Sequence, residues 1–160
     1  CNVHRRALLA SLSALSMSGL AGCASFQNDD IPAGSLQFEN QDNLPHVIGI
    51  SVIDIGTESE TDSDGYSVSG EVTAPPQQRE LTASSSVAPG ETQTFRNIFT
   101  ESVYYLVEFT LDGIVPETGG RIPFNPSPSN REYDNVLGGV VFASGEFSWE
   151  VSSTDNAGRF

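Results

Sequence analysis

Four groups of residues in this chain have the types and spacing to do chemistry. Cys23 carries a thiol directly after Leu20, Ala21 and Gly22, at the end of a short apolar run. Small residues at 21 and 22 let an extended backbone enter a peptidase cleft, and the exposed thiol can then take a thioether-linked lipid. Glu60, Asp62 and Asp64 alternate, Gly65 follows, and Glu71 lies six residues beyond it. That is the spacing of oxygen ligands in a calcium loop, a hard cation needing 6–8 oxygens, with Glu60 standing where Asp is usual. The competing reading is a solvated acidic hairpin tip. Arg131 and Tyr133 lie in a loop rich in Pro, Asn and Ser over residues 124–135. Such a pair on a loop held by a rigid scaffold fits recognition of an envelope protein. Otherwise the loop is a long connection stiffened by proline. His46 is the fourth candidate and the only histidine after Cys23.

His46 makes a poor general base. Ser-His-Asp hydrolysis needs a serine and an aspartate brought beside it. Serines are too abundant here to discriminate. The residue follows Pro45 at the start of an apolar run, where a hydrogen-bonded structural histidine is the commoner case. A blue-copper site needs two histidines, a cysteine and usually a methionine, but the one methionine is Met17. No enzyme is expected, and no cofactor beyond the candidate Ca2+.

The segment before Cys23 explains the cysteine. Arg5 and Arg6 stand in an N-terminal stretch without acids, and an apolar run over 7–20 follows. An export signal uses roughly 7–15 apolar residues and a spanning helix about 20. Serines at 11, 13, 16 and 18 further dilute the run. Leu-Ala-Gly-Cys over 20–23 resembles the lipobox of bacterial and archaeal lipoproteins, and Arg5-Arg6 resembles a twin-arginine export signal. The resemblance implies cleavage before Cys23 and a diacylglyceryl-type lipid on it. Stable anchoring takes two chains or signals, which such a lipid supplies. The expected organisation is a signal peptide over 1–22, a lipidated Cys23 and tether over 23–34, and one domain over 35–160. Cys1 follows no apolar run and receives no role. Cys23, committed to lipid, would leave no thiol for a disulfide, zinc or iron–sulfur site within the mature chain.

Charge sets the environment. The chain has no lysine, and from Cys23 onward five arginines face all 21 acids, a formal charge of −16. Nucleic acid is excluded as a default partner, because phosphate binding needs clustered cations. The same charge argues against docking on an anionic lipid surface, so the lipid must do the holding. Carboxylate repulsion is screened when the Debye length shrinks to about 3 Å at 1 M salt. With the export signal, this composition resembles haloarchaeal secreted proteins. The melting temperature is expected to fall when salt is removed. An unchanged value contradicts the halophilic reading.

The elements that must position these groups read as strands. Short β-branched and aromatic runs are separated by Gly, Pro, Asn and Asp, the pattern of an all-β domain. Strands are expected over 35–39, 46–55, 66–72, 79–87, 91–98, 102–111, 136–143 and 146–152, with a ninth over 119–124. Val103, Tyr105, Val107, Phe109 and Leu111 alternate with partners on the other face. Phe147, Trp149 and Val151 do the same, and Ser144-Gly145 can turn the chain between the last two strands. Residues 46–55 are apolar on both parities, as in a central strand.

Seven to nine such strands argue for an antiparallel two-sheet sandwich. Pro-His before a long apolar strand, Ala-Pro-Gly-Glu-Thr before Phe95, Tyr104-Tyr105 and Asp112-Gly113 together resemble the immunoglobulin-like domains of haloarchaeal surface lipoproteins. The resemblance covers residues 35–113 and implies an immunoglobulin-like β-sandwich on the outer face of the cytoplasmic membrane. Two functional classes remain open. One is an adhesion, scaffold or interaction module. The other is a ligand- or Ca2+-binding surface lipoprotein accessory to a transporter.

Overall fold

The computed structural model describes residues 31–129 and 132–160. Ten strands and one helical turn follow in order. They are β1 (Leu36–Asn40), β2 (His46–Gly56), β3 (Glu58–Asp62), β4 (Gly65–Ser69), α1 (Pro76–Arg79), β5 (Thr82–Val87), β6 (Thr92–Phe95), β7 (Tyr104–Leu111), β8 (Arg121–Phe124), β9 (Asp134–Val141) and β10 (Phe147–Thr154). One sheet has the order β10-β9-β1-β6, the other β5-β2-β7-β8, and β3-β4 forms a separate ribbon. The two larger sheets pack face to face as a sandwich.

Alternation puts the core between those sheets. Leu36, Phe38, Leu137 and Val141 come from the first, and Ile48, Ile50, Val107 and Phe109 from the second, all 2% exposed or less. Phe109 meets Phe147 across the layers at 5.1 Å between ring centroids. Gly139 leaves the space for that contact: a Cβ there would lie 2.8 Å from a Phe109 ring carbon. Phe99 closes one end against Tyr105 at 5.0 Å and Phe124 at 4.9 Å.

The two-parity apolar pattern of β2 has a local cause. Its register against β7 shifts between Val52 and Asp54. A bulge adds a residue to one strand and so resets which parity faces inward. Ile48, Ile50 and Val52 point to the core before it, Ile55 after it, while Val47 and Ile53 stay exposed.

Four expectations are corrected. The sandwich is not wholly antiparallel, because β1 pairs with β9 in parallel. Alternation fixes which face a residue takes but not the direction of the neighbouring strand. The acidic stretch holds a strand, β3, exposed throughout and paired to β4. Glu and Asp are poor strand formers, so sequence gave no signal for it. The strand expected over 79–87 starts at Thr82, because Pro75-Pro76 opens the short helix α1. Lastly, the folded domain takes in the end of the expected tether. The N–H groups of Ala33 and Gly34 donate to Asn156 and Asn135 carbonyls at 2.9 Å, and both residues are buried.

Candidate functional site

An aromatic-lined concavity lies on one flank of the sandwich. Edge strands β8 and β10 run along this flank, and the β3-β4 ribbon lays Tyr66 across it. A cavity of about 260 Å³ there is lined by Tyr66, Tyr104, Phe124 and Trp149, with Asn125 and Asn135 among the polar residues. Tyr104 and Asn125 also border a second depression that reaches Glu58. Tyr66 borders a third that reaches Asp64, Glu108 and Glu117. The aromatic depression shares Tyr66 with one neighbour and Tyr104 and Asn125 with the other, and both neighbours carry carboxylates; the three together are termed the trough.

Local structure explains the placement. Asp64-Gly65 turns the ribbon, with Gly65 at φ +123°, where only glycine is unstrained. That turn sets Tyr66 on β4 opposite Thr61. Trp149 projects from the inner face of β10, opposite Gly139 of β9. Its five-membered ring lies beneath Gly119, where a Cβ would sit 3.5 Å from the indole nitrogen. The loop after β8 is pinned at its base. Asn125 Oδ1 accepts from the Ser127 N–H at 2.9 Å, and the Asn135 amide donates to the Asn125 carbonyl at 2.9 Å.

Comparison with known protein families, curated proteins and solved structures finds no match. The site must therefore be read from its own geometry.

The export and lipidation residues Arg5, Arg6, Leu20, Ala21, Gly22 and Cys23 lie outside the described residues, as does Arg131. Tyr133 is 48% exposed, on the same loop that walls the trough. The four candidate calcium ligands are not gathered. Glu60 and Asp62 lie along β3, Asp64 is in the turn, and Glu71 follows β4 beyond Gly70. Alternate strand residues stand about 6.6 Å apart, whereas calcium needs its oxygens within about 2.6 Å of one point. Two of the carboxylates accept local hydrogen bonds instead, Glu60 from the Ser69 hydroxyl at 3.2 Å and Asp62 from the Asp64 N–H at 2.8 Å. Among the described residues no three His, Cys, Asp or Glu side chains converge as a metal site.

His46 is held between two carboxylates. Its Nδ1 meets Asp112 Oδ2 at 2.8 Å and its Nε2 meets Asp42 Oδ2 at 2.9 Å, with the ring 12% exposed. Only the doubly protonated imidazolium donates to both. The hydrogen bonds, Asp42 first and then Asp112, raise its pKa above 6.5. Asp42 is lowered chiefly by His46, and Asp112 chiefly by the Val47 N–H. This clamp ties the β1–β2 loop to the turn after β7.

Its pH dependence has a definite sign. A raised histidine pKa contributes stability that is complete below pH 6.5 and lost as pH rises through the folded value. The lowered aspartates contribute above 3.8 and lose it as pH falls through their folded values. Denaturation midpoints are expected to fall as pH rises from 6.5 through the raised folded value of His46, and the slope to flatten in His46→Gln. A wild-type profile as flat as the variant's contradicts the clamp.

The sequence singled out the loop but not its partners across the trough. Tyr66, Tyr104 and Trp149 are far apart in the chain, and Trp149 reads as core from its parity. The only local hint was an aromatic residue near the start of each of three strands.

Proposed function

We propose that this chain is a non-enzymatic recognition module, tethered by lipid on Cys23 to the outer face of the cytoplasmic membrane, that binds a protein partner of the cell surface. The reading extends to an immunoglobulin-like sandwich of a halophile's secreted lipoprotein. The observation that carries it is the aromatic trough on the flank of an otherwise filled sandwich. Phe38, Phe99, Phe109 and Phe124 occupy the interior, which leaves little room for an enclosed small-molecule chamber. The aromatic depression of about 260 Å³ adjoins wider depressions of about 440 and 650 Å³, an open surface rather than a closed chamber. Tyr and Trp supply large, rigid contact area and are enriched where proteins meet. His46, engaged on both nitrogens, serves the fold in this reading.

The test is capture from the native envelope. Tyr66→Ser and Tyr104→Ser are expected to weaken retention of a defined partner at least about fivefold, as loss of an interface anchor does. His46→Gln is expected to leave it unchanged. Equal capture by all variants rejects the trough as the recognition surface, and loss with Tyr133→Ser alone moves recognition to the loop.

A further inference from the structure

We propose that the trough takes a cationic side chain, the guanidinium or ammonium of an arginine- or lysine-bearing segment of a polypeptide partner. The proposal deepens the recognition reading above and rests on it.

Aromatic content comes first. Tyr66, Tyr104, Phe124 and Trp149 line one cavity. No ring contact joins Tyr66, Tyr104 and Trp149 among the described residues, so their faces are not spent on one another. The negative face of each ring attracts a cation, and the attraction grows where the cation is desolvated.

Charge points the same way. Glu58 lies toward one end of the trough, and Asp64 and Glu117 toward the other. Arg121, the cation on this wall, is already bound to Glu108 at 2.6 Å. An anionic group would meet the carboxylates of both neighbouring depressions. A neutral group gains hydrogen bonds from the carboxylates but no Coulomb attraction. A cation is attracted by both the rings and the nearby acids, a short-range attraction that survives where salt screens the net charge of the chain.

Hydrogen bonding adds the polypeptide. The hydroxyls of Tyr66 and Tyr104 and the indole N–H of Trp149 make no hydrogen bond among the described residues. Three unpartnered polar tips around a cation-attracting cavity suit the carbonyls of an extended backbone on either side of the charged residue. A free organic ammonium would leave those donors to water.

The only tryptophan in the chain is Trp149, so tryptophan emission, excited selectively beyond the tyrosine absorption band, reports on this cavity. The full chain is titrated in high salt with a short Ser-Pro-Arg-Pro-Ser peptide, with its Glu counterpart, with tetramethylammonium chloride, and with a neutral oligosaccharide. The expected result is a saturable change with the Arg peptide, weaker by about tenfold in Tyr66→Ser and absent with the Glu peptide. Tyr66 is 40% exposed on the ribbon outside both main sheets, so this variant is expected to fold, which its melting curve verifies. No response to the Arg peptide, or an equal response to the Glu peptide, overturns the proposal. A response to tetramethylammonium or oligosaccharide without one to the Arg peptide also overturns it. Envelope capture that depends on Tyr66 while the Arg peptide stays silent would retain the recognition reading and reject the cationic ligand.

Discussion

Replacing Phe109 by alanine is expected to cost about 3–5 kcal/mol of folding stability, the range for deleting a buried phenylalanine. The ring is wholly buried on β7, a strand with neighbours on both sides. It reaches across the sandwich to Phe147 and fills the slot above Gly139. Removing it leaves a cavity that two hydrogen-bonded sheets cannot collapse to fill. The converse change tests the same contact. In Gly139→Ala the new Cβ would fall 2.8 Å from the Phe109 ring and 3.2 Å from Phe147. Overpacking of this kind costs about 1–3 kcal/mol. The two substitutions are expected to couple, because the alanine methyl enters space that Phe109→Ala vacates. Urea midpoints of the four proteins in the cycle measure it. Strict additivity contradicts the described interdigitation.

The second large effect is expected at Gln78. Its side chain, on the one short helix, is 7% exposed and wired on both ends. The Tyr105 hydroxyl donates to Gln78 Oε1 at 2.7 Å, and the Thr100 N–H donates to the same oxygen at 3.0 Å. The Gln78 amide donates to the Ile98 carbonyl at 3.1 Å. Burial pushes the Tyr105 hydroxyl up to about 12, so it stays protonated and keeps donating. Gln78→Leu retains most of the volume but strands three polar groups, each costing about 1–3 kcal/mol when unpartnered. A loss of about 3 kcal/mol is expected once water relieves the more accessible groups. Tyr105→Phe still orphans the Glu101 N–H, which donates to that hydroxyl at 3.1 Å. Its cost is expected to be smaller, because the Gln78 oxygen keeps Thr100. Unfolding curves of the single and double variants check this. A neutral Gln78→Leu contradicts the network.

Much of the fold was legible in the sequence because burial imposes period-two alternation. Tyr105, Val107 and Phe109 line the core as their parity requires, and Gly145 turns β9 into β10 with φ +82°. What escaped has a physical reason in each case. A bulge in β2 switched the inward parity, so one apolar run served the core twice over. β3 is held by ladder hydrogen bonds to β4 rather than by any propensity of Glu58 to Asp62. The parallel pairing of β1 with β9 depends on long-range topology that no local pattern encodes.

The candidate site was legible only in part. The loop over 124–135 was recognisable from its composition, and its described residues Phe124, Asn125, Pro128 and Asn135 line the cavity. The aromatic residues facing it converge through three different elements. Spacing made Glu60, Asp62, Asp64 and Glu71 look like a ligand set, yet a strand spreads along its length what a tight loop would gather. The same extended geometry brings Tyr66 to Tyr104 and Trp149.

The central claim is that the module works at the membrane surface, held there through Cys23. The direct measurement is intact mass and membrane fractionation of the protein from its native host, comparing wild type with Cys23→Ser. The account predicts a chain beginning at Cys23 with a lipid-mass adduct, retained in membranes and released in the variant. A chain still carrying residues 1–22, or a soluble product without added mass, would contradict it.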